Sequence, residues 1–498
     1  MNSFDQFEVW FVTGAQLLYG GDAVIAVDAH SNEMVAGLNA SGNLPVKVVY
    51  KGTVNSAKEV TAAFKAANND DKCIGVITWM HTFSPAKMWI HGLQELKKPL
   101  LHFHTQYNKE IPWDTMDMDF MNLNQSAHGD REFGHICARM RKNRKVVVGH
   151  WQDEAAQKKI AAWMRVCAAW ADAQDMLILR FGDQMNNVAV TDGDKVAAEQ
   201  TLGYHVDYCP INDLMVYYRA VDDADTKALV EQYWAEYDHD PKLEEPGTEA
   251  YTKVWNSAKA EIALRRLLKD KGAKGFTTNF DDLGEFDQIP GLASQRLMKE
   301  GYGFGAEGDW KTAALFRTMW FMSQGMPKGC SFLEDYTLNF DGEKSAILQA
   351  HMLEVCPLIA EHKPKLEVHR LSIGIDSETA RLVFTSKQGE GVAATIVDMG
   401  NRFRMIVNVV DCIKSKPLPK LPLWIPQPNF EVGAGAWILA GGTHHTSFSF
   451  DLSVEYLQDY AEIAGIEIVV IDKNTTIENF KKELRMNEIY YMLNKSLC

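Results

Sequence analysis

Short apolar runs alternate with helix-period segments over the first third of the chain, and this alternation restricts the fold more than any other feature. Glu8-Val-Trp-Phe-Val-Thr13, Val46-Lys-Val-Val-Tyr50, Cys73-Ile-Gly-Val-Ile-Thr78 and Pro99-Leu-Leu-His-Phe103 each read as a strand, with amphipathic helical patterns between them. Strand, helix and strand in succession bring the two strands together in parallel with the helix across one face. The pattern therefore predicts an open parallel sheet covered on both sides. A second unit of the same kind begins at Asp175-Met-Leu-Ile-Leu-Arg180. It continues through helical patterns after Asp194 and from about Tyr251 to Lys269, and returns to a strand at Gly275-Phe-Thr-Thr-Asn279. The polar stretches 221–226 and 238–247, the second containing proline, read as loops.

After about Lys328 the pattern changes to closely spaced strands with few helices: Leu366-Glu-Val-His369, Arg381-Leu-Val-Phe-Thr385, Gly391-Val-Ala-Ala-Thr-Ile-Val397 and Arg404-Met-Ile-Val-Asn-Val-Val410. Helical patterns at 454–464 and 477–484 close the chain. The expected class is α/β, with two open parallel-sheet α/β domains (residues 1–176 and 177–327) followed by a β-rich C-terminal domain (residues 328–498). A chain of 498 residues exceeds one ordinary hydrophobic core, which agrees with a multidomain reading.

The formal net charge of −15 opposes binding to nucleic acid or to an anionic membrane, since both need a basic face. The acidic start Met1-Asn-Ser-Phe-Asp-Gln-Phe-Glu8 has no basic region of a signal peptide. The longest apolar runs, such as Trp437-Ile-Leu-Ala440, fall far short of the roughly 18 residues that span a bilayer. The 8 cysteines stand singly, without a C-x-x-C pair, as expected of reduced thiols in a cytoplasmic protein. Gly14-Ala-Gln-Leu-Leu-Tyr-Gly20 follows a strand as a phosphate loop would, but it lacks G-x-G-x-x-G, and no Walker-type G-K-[ST] occurs. A plain βα turn, or a loop shaped for another ligand, is the better reading.

Four segments are rich in possible metal ligands. In Gly303-Phe-Gly-Ala-Glu307-Gly-Asp-Trp-Lys311 a carboxylate stands between glycines ahead of a helix pattern. Ser331-Phe-Leu-Glu334-Asp-Tyr-Thr337 is strand-like, Ala350-His351-Met-Leu-Glu354-Val-Cys-Pro357 carries a histidine, and Ala440-Gly-Gly-Thr-His444-His445-Thr446 carries a histidine pair. Two glutamates and two histidines form a mixed O/N set suited to Mn²⁺ or a similar ion. Each also has an ordinary explanation. Glu307 could complement a helix dipole, Glu334 could lie on a solvated edge, His351 could be a hydrogen-bonded core residue, and His444–His445 a loop pair.

Longer blocks narrow the choice. His81-Thr-Phe-Ser-Pro-Ala-Lys-Met-Trp-Ile90, Pro112-Trp-Asp-Thr-Met-Asp-Met-Asp-Phe-Met-Asn-Leu-Asn-Gln125, Ala127-His128-Gly129, Arg131-Glu-Phe-Gly134 and Val190-Thr-Asp-Gly-Asp-Lys-Val196 stand in the first half. Glu307-Gly-Asp-Trp-Lys-Thr-Ala-Ala314, Glu334-Asp-Tyr-Thr337, His351-Met-Leu-Glu-Val-Cys-Pro357 and Trp437-Ile-Leu-Ala-Gly-Gly442 with His444-His445-Thr446 follow in the second. In type and order these resemble the L-arabinose isomerase family over essentially the whole chain. The resemblance implies a fucose-isomerase-like subunit and reversible interconversion of L-arabinose and L-ribulose, with D-galactose to D-tagatose as a side activity. It implies one Mn²⁺ per subunit, replaceable by Co²⁺ or another divalent ion, held by Glu307, Glu334, His351 and His445. Glu307 and Glu334 are then also the catalytic acid and base, and Gln16, Leu18, Phe83, Gln125, His128, Met185, Phe280 and His444 line the sugar pocket. It implies a homohexamer whose active sites are shared between subunits. Thr443 stands where the family often has alanine. A related isomerase for another aldose, or a non-catalytic sugar-binding protein, would fit the same layout and differ in turnover.

Overall fold

The strands of the first parallel sheet are β1 (Glu8–Gly14), β2 (Lys47–Val54), β3 (Cys73–Met80), β4 (Leu100–His104) and β5 (Lys145–Val148). They pair in parallel in the order β2-β1-β3-β4-β5. Every residue of β3 is buried, as its unbroken apolar run requires of a central strand covered on both faces. Gly75 permits that cover, because a Cβ there would come within 2.7 Å of the Trp163 indole. The strand order reverses between β1 and β3, and open sheets of this kind bind ligands outside the carboxyl ends of the strands at that reversal.

The computed structural model describes residues 4–340, 344–351, 354–415 and 420–494. Its chain divides into two units, Met1–Ala171 with Gln458–Gly465, and Asp172–Leu457 with Ile466–Cys498. Among the described residues no helix is long and apolar enough to cross a membrane. The seven cysteines among them are buried and unpaired, and Cys498 lies outside them.

The second unit holds β6 (Met176–Phe181), β7 (Tyr204–Cys209), β8 (Asp238–His239), β9 (Gly275–Thr277), β10 (Gly303–Gly305), β11 (Cys330–Asn339), β12 (Ala346–Ala350), β13 (Lys365–Leu371), β14 (Ser377–Val383), β15 (Gly389–Asp398), β16 (Phe403–Ile413), β17 (Leu423–Pro426), β18 (His445–Ser449) and β19 (Glu467–Ile471). Four of them form a second parallel sheet, β10-β9-β6-β7. Six antiparallel strands close on themselves in the order β15-β18-β11-β12-β17-β16, because β16 also pairs with β15. This barrel leaves no open edge, and β19 adds in parallel to β16. The β-rich C-terminal region is thus a closed barrel, and β13 and β14 stand outside it in a small sheet with β8.

Both expected loops hold regular structure, and 238–247 carries β8 and the short 3-10 helix Pro241–Glu244. Residues 221–226 open the helix Asp223–Glu236: Asp222 caps it by accepting from the Asp225 amide, and Asp223 and Asp225 sit in its first turn. The run of aspartates that reads as loop polarity is a helix start, where carboxylates satisfy free amides and the dipole.

In the first unit Asp130 is buried between two histidines of β4, with His102 Nε2 at 2.8 Å and His104 Nδ1 at 2.5 Å. The hydrogen bond to Asp130 raises the His104 pKa above its ordinary value, against partial burial. A raised histidine pKa stabilises the fold fully below the unfolded value of about 6.5, and the contribution fades as pH rises through the folded pKa. The melting-temperature gap between the native protein and His104→Gln should therefore be widest near pH 5.5 and narrow toward pH 8. A gap constant across that range would mean that His104 contributes packing rather than charge.

Candidate metal and substrate site

β-sheet register assembles three of the four expected ligands. Glu334 in β11 stands directly opposite His445 in β18 on one side and Ala350 in β12 on the other. His351 follows Ala350 at the end of β12, so Glu334, His351 and His445 converge on one end of the barrel. The fourth ligand arrives from the parallel sheet. Glu307 follows β10 in the left-handed region, φ 57°, and Gly308 after it has φ 79°. A non-glycine residue in that region is uncommon and costs energy, which marks the carboxylate as held in place by its surroundings. Gly305 allows the tight return, since a Cβ there would lie 2.1 Å from the Asp309 carbonyl oxygen.

Both histidines are aimed from behind. His445 Nδ1 is 3.0 Å from Asp309 Oδ2, and His351 Nδ1 is 2.8 Å from Glu354 Oε2. A carboxylate accepts the Nδ1 proton, which leaves each Nε2 with its lone pair forward. His445 Nε2 lies 3.9 Å from Glu307 Oε2, and His351 Nε2 lies 4.0 Å from Glu334 Oε2. These spacings exceed hydrogen bonds but suit ligand atoms around a common ion. Glu307, His351 and His445 offer atoms all within 4.8 Å of one another, as do Glu334, His444 and His445. His445 Nε2 is buried without any hydrogen-bond partner, which suits a metal-ligating atom. The residues fit an O/N-coordinated divalent cation.

The electrostatics differ between the two histidines: burial lowers His351, but the Glu354, Glu334 and Glu307 carboxylates outweigh it and raise its pKa above the ordinary value. Burial depresses His445 to a pKa of about 4, despite the opposing Asp309 bond, so its imidazole is neutral at pH 7. Asp309 is itself buried, yet Lys311 and His445 together hold its carboxyl down at about 2. Burial raises Glu334, and the nearby Glu307 and Glu354 carboxylates add to it against His351 and His444. Burial raises Glu307, but the bond to His444 and the electrostatic pull of the surrounding imidazoles outweigh it, and its pKa is lowered. Phe332 packs its ring 5.2 Å from His351 and 5.0 Å from His445, making an apolar floor under both.

The other expected residues fall into two groups. Met185 donates its backbone N–H to the Glu307 carbonyl at 3.3 Å, Phe280 stacks on His351 at 5.7 Å, and His444 Nε2 lies 3.2 Å from Glu307 Oε2. These three adjoin the ligands within the second unit. In the first unit the carboxyl ends of β1 and β3 lead into the segments carrying Gln16, Leu18 and Phe83. Phe83 and His128 bring their rings to 4.3 Å, and the Gln125 N–H donates to the His81 carbonyl at 2.9 Å. Gln16 is buried with its Nε2 unpartnered, while Leu18 is exposed. Thr443 is buried, donates to the His445 carbonyl at 2.5 Å and meets Thr395 Oγ1 at 3.1 Å, so its hydroxyl ties the histidine loop to β15.

Asp309 and Glu354, which back the two histidines, are not singled out by the reading of the sequence. Their signals are present: H-x-x-E at 351–354, and an aspartate two residues after Glu307 at a helix N-cap.

Models of the L-arabinose isomerase N-terminal, central and C-terminal domains match residues 3–175, 177–325 and 329–467. Over 100% of its length the chain is 78% identical to an L-arabinose isomerase of Phocaeicola vulgatus, covering 99% of that protein. It is 77% identical to one of Bacteroides thetaiotaomicron with both chains fully covered. It is also 52% identical to one of Thermotoga maritima, over 99% of this chain and 100% of that protein. The cluster of carboxylates and histidines, the two parallel sheets with a β-barrel, and this full-length similarity agree: the chain belongs to the L-arabinose isomerase family of enzymes.

Proposed function

We propose that this chain interconverts L-arabinose and L-ribulose through an enediolate, with D-galactose as a slower second substrate, and that Glu307, Glu334, His351 and His445 hold one Mn²⁺ or similar divalent ion. The observation that most supports the metal is the pair of histidines backed by Asp309 and Glu354, with His445 Nε2 left unpartnered. A divalent ion at this position supplies a Lewis acid for the substrate oxygens and for the negative charge of the enediolate. Glu307 and Glu334 serve as the base and acid that carry a proton between C1 and C2. Phe280, lying along His351, shields that face of the site from water. Gln16, Leu18, Phe83, Gln125, His128, Met185 and His444 bind and orient the sugar.

The test is direct. Purified protein with Mn²⁺ should form ketose from L-arabinose fastest, from D-galactose more slowly, and from D-xylose least. A protein that is stabilised by L-arabinose but forms no ketose would be a binder, and a preference for another aldose would reassign the substrate.

In the same reading residues 1–176, 177–327 and 328–498 are three domains, and the enzyme works in the cytoplasm as a homohexamer whose sites combine residues of neighbouring subunits. Co-expression of Glu307→Ala with His128→Ala should then restore activity, since some interfaces pair an intact ligand set with an intact pocket half. Verified mixed oligomers without activity would mean that each site is built within one chain.

A further inference from the structure

A concave cavity of about 390 Å³ in the first unit has a lining unlike the rest of this acidic chain. Lys97, Lys98, Arg141, Lys142, Arg144 and Lys145 surround it, and Asp459 and Glu462 are the acidic residues of its wall. Only Lys145 is neutralised, at 2.8 Å from Asp459. Among the described residues no carboxylate lies within ion-pair distance of the other five cations. Lys142 donates instead to the Leu96 carbonyl, and Arg144 to the carbonyls of Lys142 and Gly134 at 3.3 Å. Burial also lowers the Lys142 pKa, a sign that its charge is incompletely solvated. Two N–H donors of wall residues, Trp163 Nε1 and Arg144 Nε, are buried without an acceptor. The wall is rich in donors and short of acceptors, in a protein whose net charge is −15.

Five uncompensated cations in a concavity repel one another, and an anion with several acceptor oxygens relieves that repulsion. The volume lies within the range of small-molecule sites and exceeds what inorganic phosphate alone would fill. The geometry points to a binding site for a phosphate monoester of a small polar metabolite, built from residues of the first unit alone, none of which belongs to the proposed ligand set. The phosphoryl group meets the Lys97, Lys98 and Arg141 side chains, which are free to turn toward it, and the organic part occupies the remaining volume beside Trp170.

Calorimetric titration tests this on the full-length, Mn²⁺-loaded protein freed of excess metal, with glucose 6-phosphate, inorganic phosphate and glucose as probes. The ester should bind more tightly than inorganic phosphate, and glucose should not bind in the same range. The triple variant Lys97→Gln, Lys98→Gln, Arg141→Gln should weaken ester binding roughly tenfold, as the sum of three partly exposed ion pairs. A control with the same charge change on exposed lysines of the second unit, Lys227→Gln, Lys269→Gln, Lys271→Gln, should leave it within about twofold. If the pocket triple does not fold, Lys98→Gln alone should weaken binding by about threefold. Absence of ester binding, equal losses in both triples, or undiminished binding in the pocket variants would each overturn the proposal. L-Arabinose turnover of the pocket triple, measured alongside, keeps the isomerase reading separate from this result.

Discussion

Glu307→Gln and Glu334→Gln should each lose turnover on L-arabinose by about 10²–10⁴ at saturating Mn²⁺, the range expected when an acid–base group is removed. Glutamine keeps the length of the side chain and one carbonyl oxygen, but it has no proton to give or take at neutral pH. Measurement at saturating metal separates the proton role from a simple loss of affinity. The two residues reach the site by different routes, Glu307 from a strained turn after β10 and Glu334 from the barrel strand β11, opposite the first residue of β18. Near-normal turnover in either glutamine variant, with metal bound, would remove that residue from the acid–base role and leave it as a ligand only.

The second large effect concerns a residue that touches neither the metal nor the sugar in this account. Asp309→Asn should weaken Mn²⁺ binding by about 10–100-fold, the usual consequence of changing the partner behind a histidine ligand. The carboxylate accepts the His445 Nδ1 proton and so keeps the lone pair on Nε2. An asparagine amide can turn its NH₂ toward Nδ1, and the proton then moves to Nε2, the atom that must be bare. The helix that Asp309 caps should survive, because asparagine caps helices about as well as aspartate. The melting temperature of the metal-free protein should drop as well, because the buried Lys311 loses its counter-charge, so metal affinity is measured well below the lowered transition, where the folded variant should still bind Mn²⁺ more weakly. Heteronuclear NMR of the His445 ring should report the tautomer change. An unchanged affinity with an altered tautomer would mean that His445 is not a ligand.

How much of this was legible in the sequence differs by element, for physical reasons. The parallel sheets were readable because strands buried on both faces need continuous apolar runs, and Cys73–Met80 is the clearest case. β5 was not, since four residues at a sheet edge, with Val146 and Val148 exposed, carry little pattern. The β-rich character of the C-terminal region was readable from strand spacing. Its closure was not, because closure depends on β16 pairing with β15 along one edge and with β17 and β19 along the other, and no local periodicity encodes a partner.

The same distinction holds for the site. Glu307, Glu334, His351 and His445 stood out as chemical types, but in the linear chain they occupy four separate segments. Antiparallel register places Glu334 opposite His445, and a single-residue slip would turn it to the other face. The residue types alone left ordinary explanations open for each position, and the longer family-like blocks are what singled out this set. The helix start at residues 222–226 shows the opposite case: local chemistry was fully present, and its aspartates signal a cap as readily as a loop.

The most direct test of the metal centre is a titration. Enzyme stripped with chelator and then titrated with Mn²⁺ should recover L-arabinose turnover in proportion to bound ion, counted by electron paramagnetic resonance, with a break at one ion per chain. His351→Ala should neither retain the ion at that stoichiometry nor recover turnover. Full turnover from rigorously metal-free protein, or one Mn²⁺ per chain bound at unchanged affinity by His351→Ala, would contradict the account.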